Sequence, residues 1–90
     1  MTIGGDRMAA LRARFIAATA GDAERIATSL ANDEPEEARQ IAHGLAGRSA
    51  LFGFAALGEL AREVDEADAD VFEACARKLV AALREVAQEG

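Results

Sequence analysis

Apolar residues recur at helical spacing along almost the whole chain, and this periodicity is interrupted at only three places. The clearest interruption is residues 32–35, because Pro35 cannot lie inside a helix but is tolerated in a first turn. The others are Gly53, a favourable helix end, and the acidic stretch 65–70. The 90 residues fit one domain, and a sequence rich in Ala, Leu, Glu and Arg favours helices. We therefore predict an all-α fold, an antiparallel up-down-up-down four-helix bundle with short connections.

The first helix is predicted to follow a disordered start at residues 1–5, so that the domain spans residues 6–90. Asp6 can cap this helix. We favour a single helix to Ala31, because the apolar residues keep phase across Gly21 and packing can offset the cost of about 1 kcal/mol for a helical glycine. The predicted buried face comprises Met8, Leu11, Phe15, Ala23, Ile26 and Leu30.

The other three helices are predicted from capping signals and apolar stripes. Asp33 with Glu36, and Asp70 with Glu73, have the capping-box spacing, and the second helix should begin near Glu34. Its buried stripe is Ala38, Ile41, Ala42, Leu45, Ser49 and Phe52. The third helix, with Phe54 at its entrance, buries Leu57, Leu60, Ala61 and Val64. The fourth buries Phe72, Cys75, Leu79, Leu83 and Val86.

Charge and composition argue against several classes of function. The net charge is −6, and basic and acidic residues are interspersed, so no basic stripe is available for nucleic acid. No apolar run approaches the ~18 residues of a membrane span, and the N-terminus lacks the pattern of a signal peptide, so we expect a cytoplasmic protein. Cys75 is the only cysteine, which we interpret as core filling. One histidine and one cysteine are too few ligands for a zinc site.

His43, the only histidine, is predicted to point away from the buried stripe of the second helix. Two glycines nearby, Gly44 and Gly47, cost on the order of 2 kcal/mol in helix propensity, which close approach of another molecule would explain. Most surface histidines have no function. His43 also lacks the nucleophile or phosphate loop that an enzyme would place beside it. The outer face also carries Arg39, Ala46 and Ala50.

The run His43-Gly44-Leu45-Ala46-Gly47, followed by Gly53 and Leu57, resembles the signature of histidine phosphotransfer (HPt) domains, H-x-L-K-G with a glycine at the following turn. The resemblance covers nearly the whole chain. It implies the same four-helix bundle and a bacterial phosphocarrier, not an enzyme, in which His43 takes a phosphoryl group from a receiver domain and returns it to another. The glycine at position 47 would leave room for the receiver, and Mg²⁺ is expected on the receiver, with no cofactor on this chain.

One residue departs from that signature: the lysine expected three residues after the histidine is Ala46. Arg39, one turn before His43, or Arg48, further round the helix, could supply the positive charge. Arg39 could equally pair with Glu36 or with a neighbouring helix.

We expect His43 to attack the phosphoryl group through Nε2, because this ring nitrogen projects furthest from the helix. The hydroxyl of Ser49, on the buried side, is expected to donate a hydrogen bond to the backbone carbonyl one turn earlier. Two functions follow from the sequence: a monomeric phosphorelay intermediate, or a docking module for a receiver or another signalling protein that is not phosphorylated. The predicted partner-binding residues are Arg39, Gly44, Ala46, Gly47 and Ala50.

Overall fold

A computed structural model describes residues 3–89 of the chain, with side chains from residue 7 onward. These residues form four helices: α1 (Ile3–Ala31), α2 (Pro35–Leu51), α3 (Ala55–Glu66) and α4 (Ala69–Glu89). No strand occurs in this range, so the predicted all-α class is confirmed. None of the helices has a stretch long and apolar enough to cross a membrane.

Pairs of contacts show that neighbouring helices run in opposite directions. Arg12 of α1 bonds the carbonyl of Phe52, just after α2, whereas Arg25 near the other end of α1 pairs with Glu37 at the start of α2. The short connections then reverse the chain between α2 and α3 and between α3 and α4. The molecule is therefore the predicted up-down-up-down bundle.

The helix α1 is continuous through Gly21, as predicted, but it begins earlier and buries less than expected. It starts at Ile3, which places Asp6 inside the first turn instead of at the cap; Met1 and Thr2 lie outside the described residues. Met8 and Leu11 are 46% and 38% exposed. Phe15 packs on Phe52 and Phe54, which lie at the turn between α2 and α3. Met8 and Leu11 precede Phe15, so they extend beyond this end of α2 and α3 and are not covered by them.

The start of α2 is capped differently from the prediction. Glu34 is the N-cap residue and makes no side-chain cap bond, while Asp33 adopts a left-handed backbone conformation with φ of 57°. The buried side chain of Ser29 on α1 replaces the expected Asp33–Glu36 box. Its hydroxyl donates to the Glu34 carbonyl and accepts the Ala38 N–H at 3.2 Å. A helix end can be satisfied by a residue distant in sequence as well as by a local cap.

The core follows the predicted stripes of α2, α3 and α4 closely. Every predicted core residue of α2 is buried except Phe52, which is half-buried, and Leu60 and Cys75 likewise pack at the edge of the core. Fully enclosed residues come from all four helices: Ile26, Leu45, Val64, Leu79 and Leu83. The bundle therefore holds α2 rigidly by one face and leaves the other face free to carry a site.

Two glycines shape the α2–α3 hairpin. Gly53 has a φ of 88° and ends α2, as predicted, because a left-handed conformation is easily adopted only by glycine. Gly58, which the prediction overlooked, lies where α3 crosses α2. An added Cβ at Gly58 would stand 3.3 Å from the Ala46 carbonyl oxygen and 3.6 Å from the Ser49 Cβ. Gly58 thus permits the close approach of the two helices.

Candidate functional site

His43 lies in the middle of α2, on the side opposite the buried stripe. Its side chain is 78% exposed, as the helical periodicity predicts, while its neighbours Ala42 and Leu45 are fully buried. The helix thus anchors the residues beside His43 and presents the imidazole to solvent.

One ring nitrogen of His43 is engaged by the next helix. Nδ1 lies 2.9 Å from Oδ2 of Asp65 near the end of α3. The sequence placed Asp65 in an acidic turn, but α3 continues to Glu66 and the connection to α4 is only Ala67 and Asp68. The predicted cap Asp70 therefore lies inside α4. Pairing the helices about Gly53 sets position 43 opposite position 63, so the hairpin places the end of α3 beside His43 but does not select Asp65 as the partner.

The contact with Asp65 fixes the chemistry of the imidazole. A carboxylate only accepts hydrogen bonds, so Nδ1 of the neutral ring carries the proton and donates it. Nε2 is then left with its lone pair, facing away from Asp65. The hydrogen bond and the negative charge of Asp65 both raise the pKa of His43 above its ordinary value of 6.5. The site therefore presents an exposed nitrogen nucleophile whose partner nitrogen is oriented by a carboxylate.

Arg39, one turn before His43, is bonded to the end of α3. Nη1 donates to the carbonyl of Val64 at 3.1 Å and to that of Asp65, and Nη2 donates to the carbonyl of Ala67 at 3.0 Å. Its guanidinium also stacks 4.7 Å from the ring centroid of Phe72 on α4. The sequence allowed Arg39 to contact a phosphoryl group, to pair with Glu36 or to contact a neighbouring helix. In the structure it contacts the neighbouring helix α3.

A surface cavity of about 360 Å³ opens beside the imidazole. It is lined by Glu36, Arg39, Gln40, His43 and Asp65. Both Glu36 and Gln40 are exposed. The cavity lies on the α3 side of His43, so this side of the ring is bordered by polar and charged groups.

Arg48 lies on the other side of His43, towards α1. Its guanidinium folds back along α2 over Gly44, where an added Cβ would meet Nη2 at 3.7 Å. Burial raises the pKa of Asp22 on α1, and the charge of Arg48, followed by that of Arg25, opposes this shift. Arg48 thus lies near Gly44, the residue that follows the histidine, and is exposed on the protein surface.

The small residues predicted to contact a partner do not share one environment. Gly44, Gly47 and Ala50 are exposed, and an added Cβ at Gly47 would meet nothing within 4 Å. Ala46 is half-buried, and its carbonyl oxygen faces Gly58 of α3. Packing within the chain therefore gives no reason for glycine at position 47.

Ser49 does not make the predicted bond. Its hydroxyl is buried, and no hydrogen-bond partner for it exists among the described residues. Its position in the crowded α2–α3 crossing beside Gly58 explains why a small residue occurs there, and nothing in the structure explains why that residue carries a hydroxyl. Within the described side chains, no group of three or more His, Cys, Asp or Glu residues is arranged to hold a metal ion.

The structure is therefore that of a helical-bundle domain that presents an exposed, carboxylate-oriented histidine on one helix. The family model described as "Hpt domain" matches residues 10–89, so the chain belongs to the Hpt domain family. Domains of this family carry phosphoryl groups on histidine in phosphorelays and interact with receiver domains. No curated protein and no solved structure matches the chain.

Proposed function

We propose that this chain is a phosphorelay intermediate that accepts a phosphoryl group on Nε2 of His43 from the aspartyl phosphate of a receiver domain and passes it to another receiver. The observation that supports this most is the bond from Nδ1 to Asp65, because it leaves the lone pair on the exposed nitrogen. We also propose that the protein acts in the cytoplasm as a monomer.

In the forward step the Nε2 lone pair attacks phosphorus, and the bond between phosphorus and the aspartyl oxygen breaks. The electron pair of that bond stays on the receiver, whose aspartate is released as a carboxylate. The imidazole ring then carries a positive charge, and the Asp65 carboxylate, still accepting from Nδ1–H, stabilises it. The receiver, in this proposal, also holds Mg²⁺, which neutralises charge on the transferring group. The reverse transfer retraces the same steps.

Arg48 is the proposed source of positive charge near the phosphoryl group. Position 46, where the family signature has lysine, is alanine and supplies no charge. The guanidinium of Arg39 already donates three hydrogen bonds to backbone carbonyls, so we do not assign it this role. Arg48 lies over Gly44, next to His43, and a guanidinium suits phosphate recognition. The exposed small residues Gly47 and Ala50 would let the receiver approach.

The test is to incubate the protein with a phosphorylated receiver domain and to measure transfer of label. An acid-labile, alkali-stable phosphoryl group should appear on this chain and be absent from His43→Gln. Arg84→Met, which changes an exposed arginine on α4, is the control and should be labelled as the wild type is. If the protein bound receiver domains but none of them transferred label to it, the proposal would be contradicted. That result would support the alternative function, a docking module that is not phosphorylated, which the absence of a lysine at position 46 favours.

A further inference from the structure

Arg39 of α2 binds the end of α3, and the same end of α3 contacts His43. The last carbonyl groups of a helix lack partners within the helix. In α3 the carbonyls of Val64 and Asp65 accept from Arg39, and so does that of Ala67 in the connection to α4. A cation at a helix C-terminus is also favoured by the helix dipole. Arg39 therefore acts as a C-terminal cap supplied by a different helix.

The guanidinium of Arg39 is itself held in one orientation. It is half-buried and stacks on Phe72, which is only 5% exposed in the core. Its planar fork can satisfy several carbonyls at fixed angles, which the single ammonium of lysine cannot do. Arg39 thus joins α2, α3 and α4 at one point.

Arg39 and His43 lie one turn apart on α2, and both contact the same residue of α3. Arg39 binds the backbone carbonyl of Asp65, and His43 donates to its side chain. We propose that Arg39 is a positioning residue that acts through Asp65: by holding the last turn of α3 it fixes the carboxylate, and the carboxylate fixes which ring nitrogen of His43 carries the proton. The consequence for phosphoryl transfer rests on the proposed function, but the effect on the ring exists in the free protein.

The first experiment measures the tautomer of His43 in the free protein. The chain has one histidine, so a long-range ¹H–¹⁵N spectrum at alkaline pH shows a single imidazole. In the wild type Nδ1–H should dominate. In Arg39→Met the ratio of Nδ1–H to Nε2–H should fall about tenfold, the scale of losing a hydrogen bond to a charged group. In the control Arg84→Met, which removes a 3.5 Å contact to Glu24 between α4 and α1, the ratio should not change.

A folded Arg39→Met protein with the wild-type tautomer ratio would overturn the inference and leave Arg39 with a purely structural role. Should that variant fail to fold, Arg39→Lys decides the question, because it keeps the charge and loses the fork. An intermediate ratio is expected for Arg39→Lys, and an unchanged ratio overturns the inference. None of these measurements needs a receiver, so failure of the proposed function would be seen separately.

The second experiment is a double-mutant cycle on phosphoryl acceptance. Arg39→Met should slow acceptance about tenfold, less than the ~100-fold cost of a 1 Å misplacement. In a protein that already carries Asp65→Ala, which removes the acceptor of the Nδ1–H bond, the same change should have little further effect. Losses that multiply would overturn the inference, because they would show that Arg39 acts independently of Asp65.

Discussion

Replacing Gly47 by alanine should raise the free energy of unfolding by about 1 kcal/mol and slow phosphoryl acceptance from a receiver. The stability gain follows from helix propensity, in which glycine is about 0.8–1 kcal/mol worse than alanine. Gly47 is exposed in the interior of α2, and an added Cβ there meets nothing within 4 Å, so no packing cost opposes the gain. For a domain of this size the melting temperature should rise by roughly 4–8 °C.

The same substitution at Gly58 should act in the opposite direction. There the added Cβ would lie 3.3 Å from the Ala46 carbonyl oxygen and 3.7 Å from the Ala50 amide nitrogen, both in the backbone of α2. Overpacking of this kind costs about 1–3 kcal/mol, against a gain of about 1 kcal/mol in propensity. The net loss should therefore be about 0–2 kcal/mol.

Urea unfolding followed by circular dichroism measures both changes, and the labelling assay measures transfer to Gly47→Ala. A Gly47→Ala protein no more stable than the wild type, or a stabilised Gly58→Ala protein, would refute the packing argument. A stabilised Gly47→Ala protein that is labelled at the wild-type rate would show that the glycine is not retained for the receiver.

Two further predictions concern polar groups. Asp65→Asn should lower the pKa of His43 towards its ordinary value, which an NMR titration of the single histidine measures; an unchanged pKa would contradict the role given to the carboxylate. Because the folded pKa is raised, the stability contributed by His43 is fully present below about pH 6.5 and is lost as the pH rises through the folded pKa. Asp65→Asn should weaken this dependence. Ser29→Ala should cost about 1–3 kcal/mol in urea unfolding, because two hydrogen bonds of its buried hydroxyl, to the Glu34 carbonyl and from the Ala38 N–H, are lost. Ser49→Ala should be neutral or stabilising, because its hydroxyl has no partner among the side chains and backbone that the structure describes. Equal losses for both serines would refute this distinction.

Local periodicity was enough to predict the four helices and most of the buried faces of α2, α3 and α4. Helical spacing identified the stripe of α2 and therefore the exposure of His43, and Gly53 marked the end of α2. The prediction was wrong where a cap comes from elsewhere in the chain, as Ser29 does for α2. It was also wrong for Met8 and Leu11, whose exposure depends on where the neighbouring helices end.

The sequence by itself determined the class of fold and the exposure of His43, the residue proposed to carry a phosphoryl group. These depend on spacing within one helix, which 3.6 residues per turn converts directly into a face. The partners of that residue were decided only by tertiary structure. Asp65 meets His43, and Arg39 meets the end of α3, because Gly58 lets two helices approach at one particular separation and register. A contact across helices depends on that packing geometry, which no local pattern encodes.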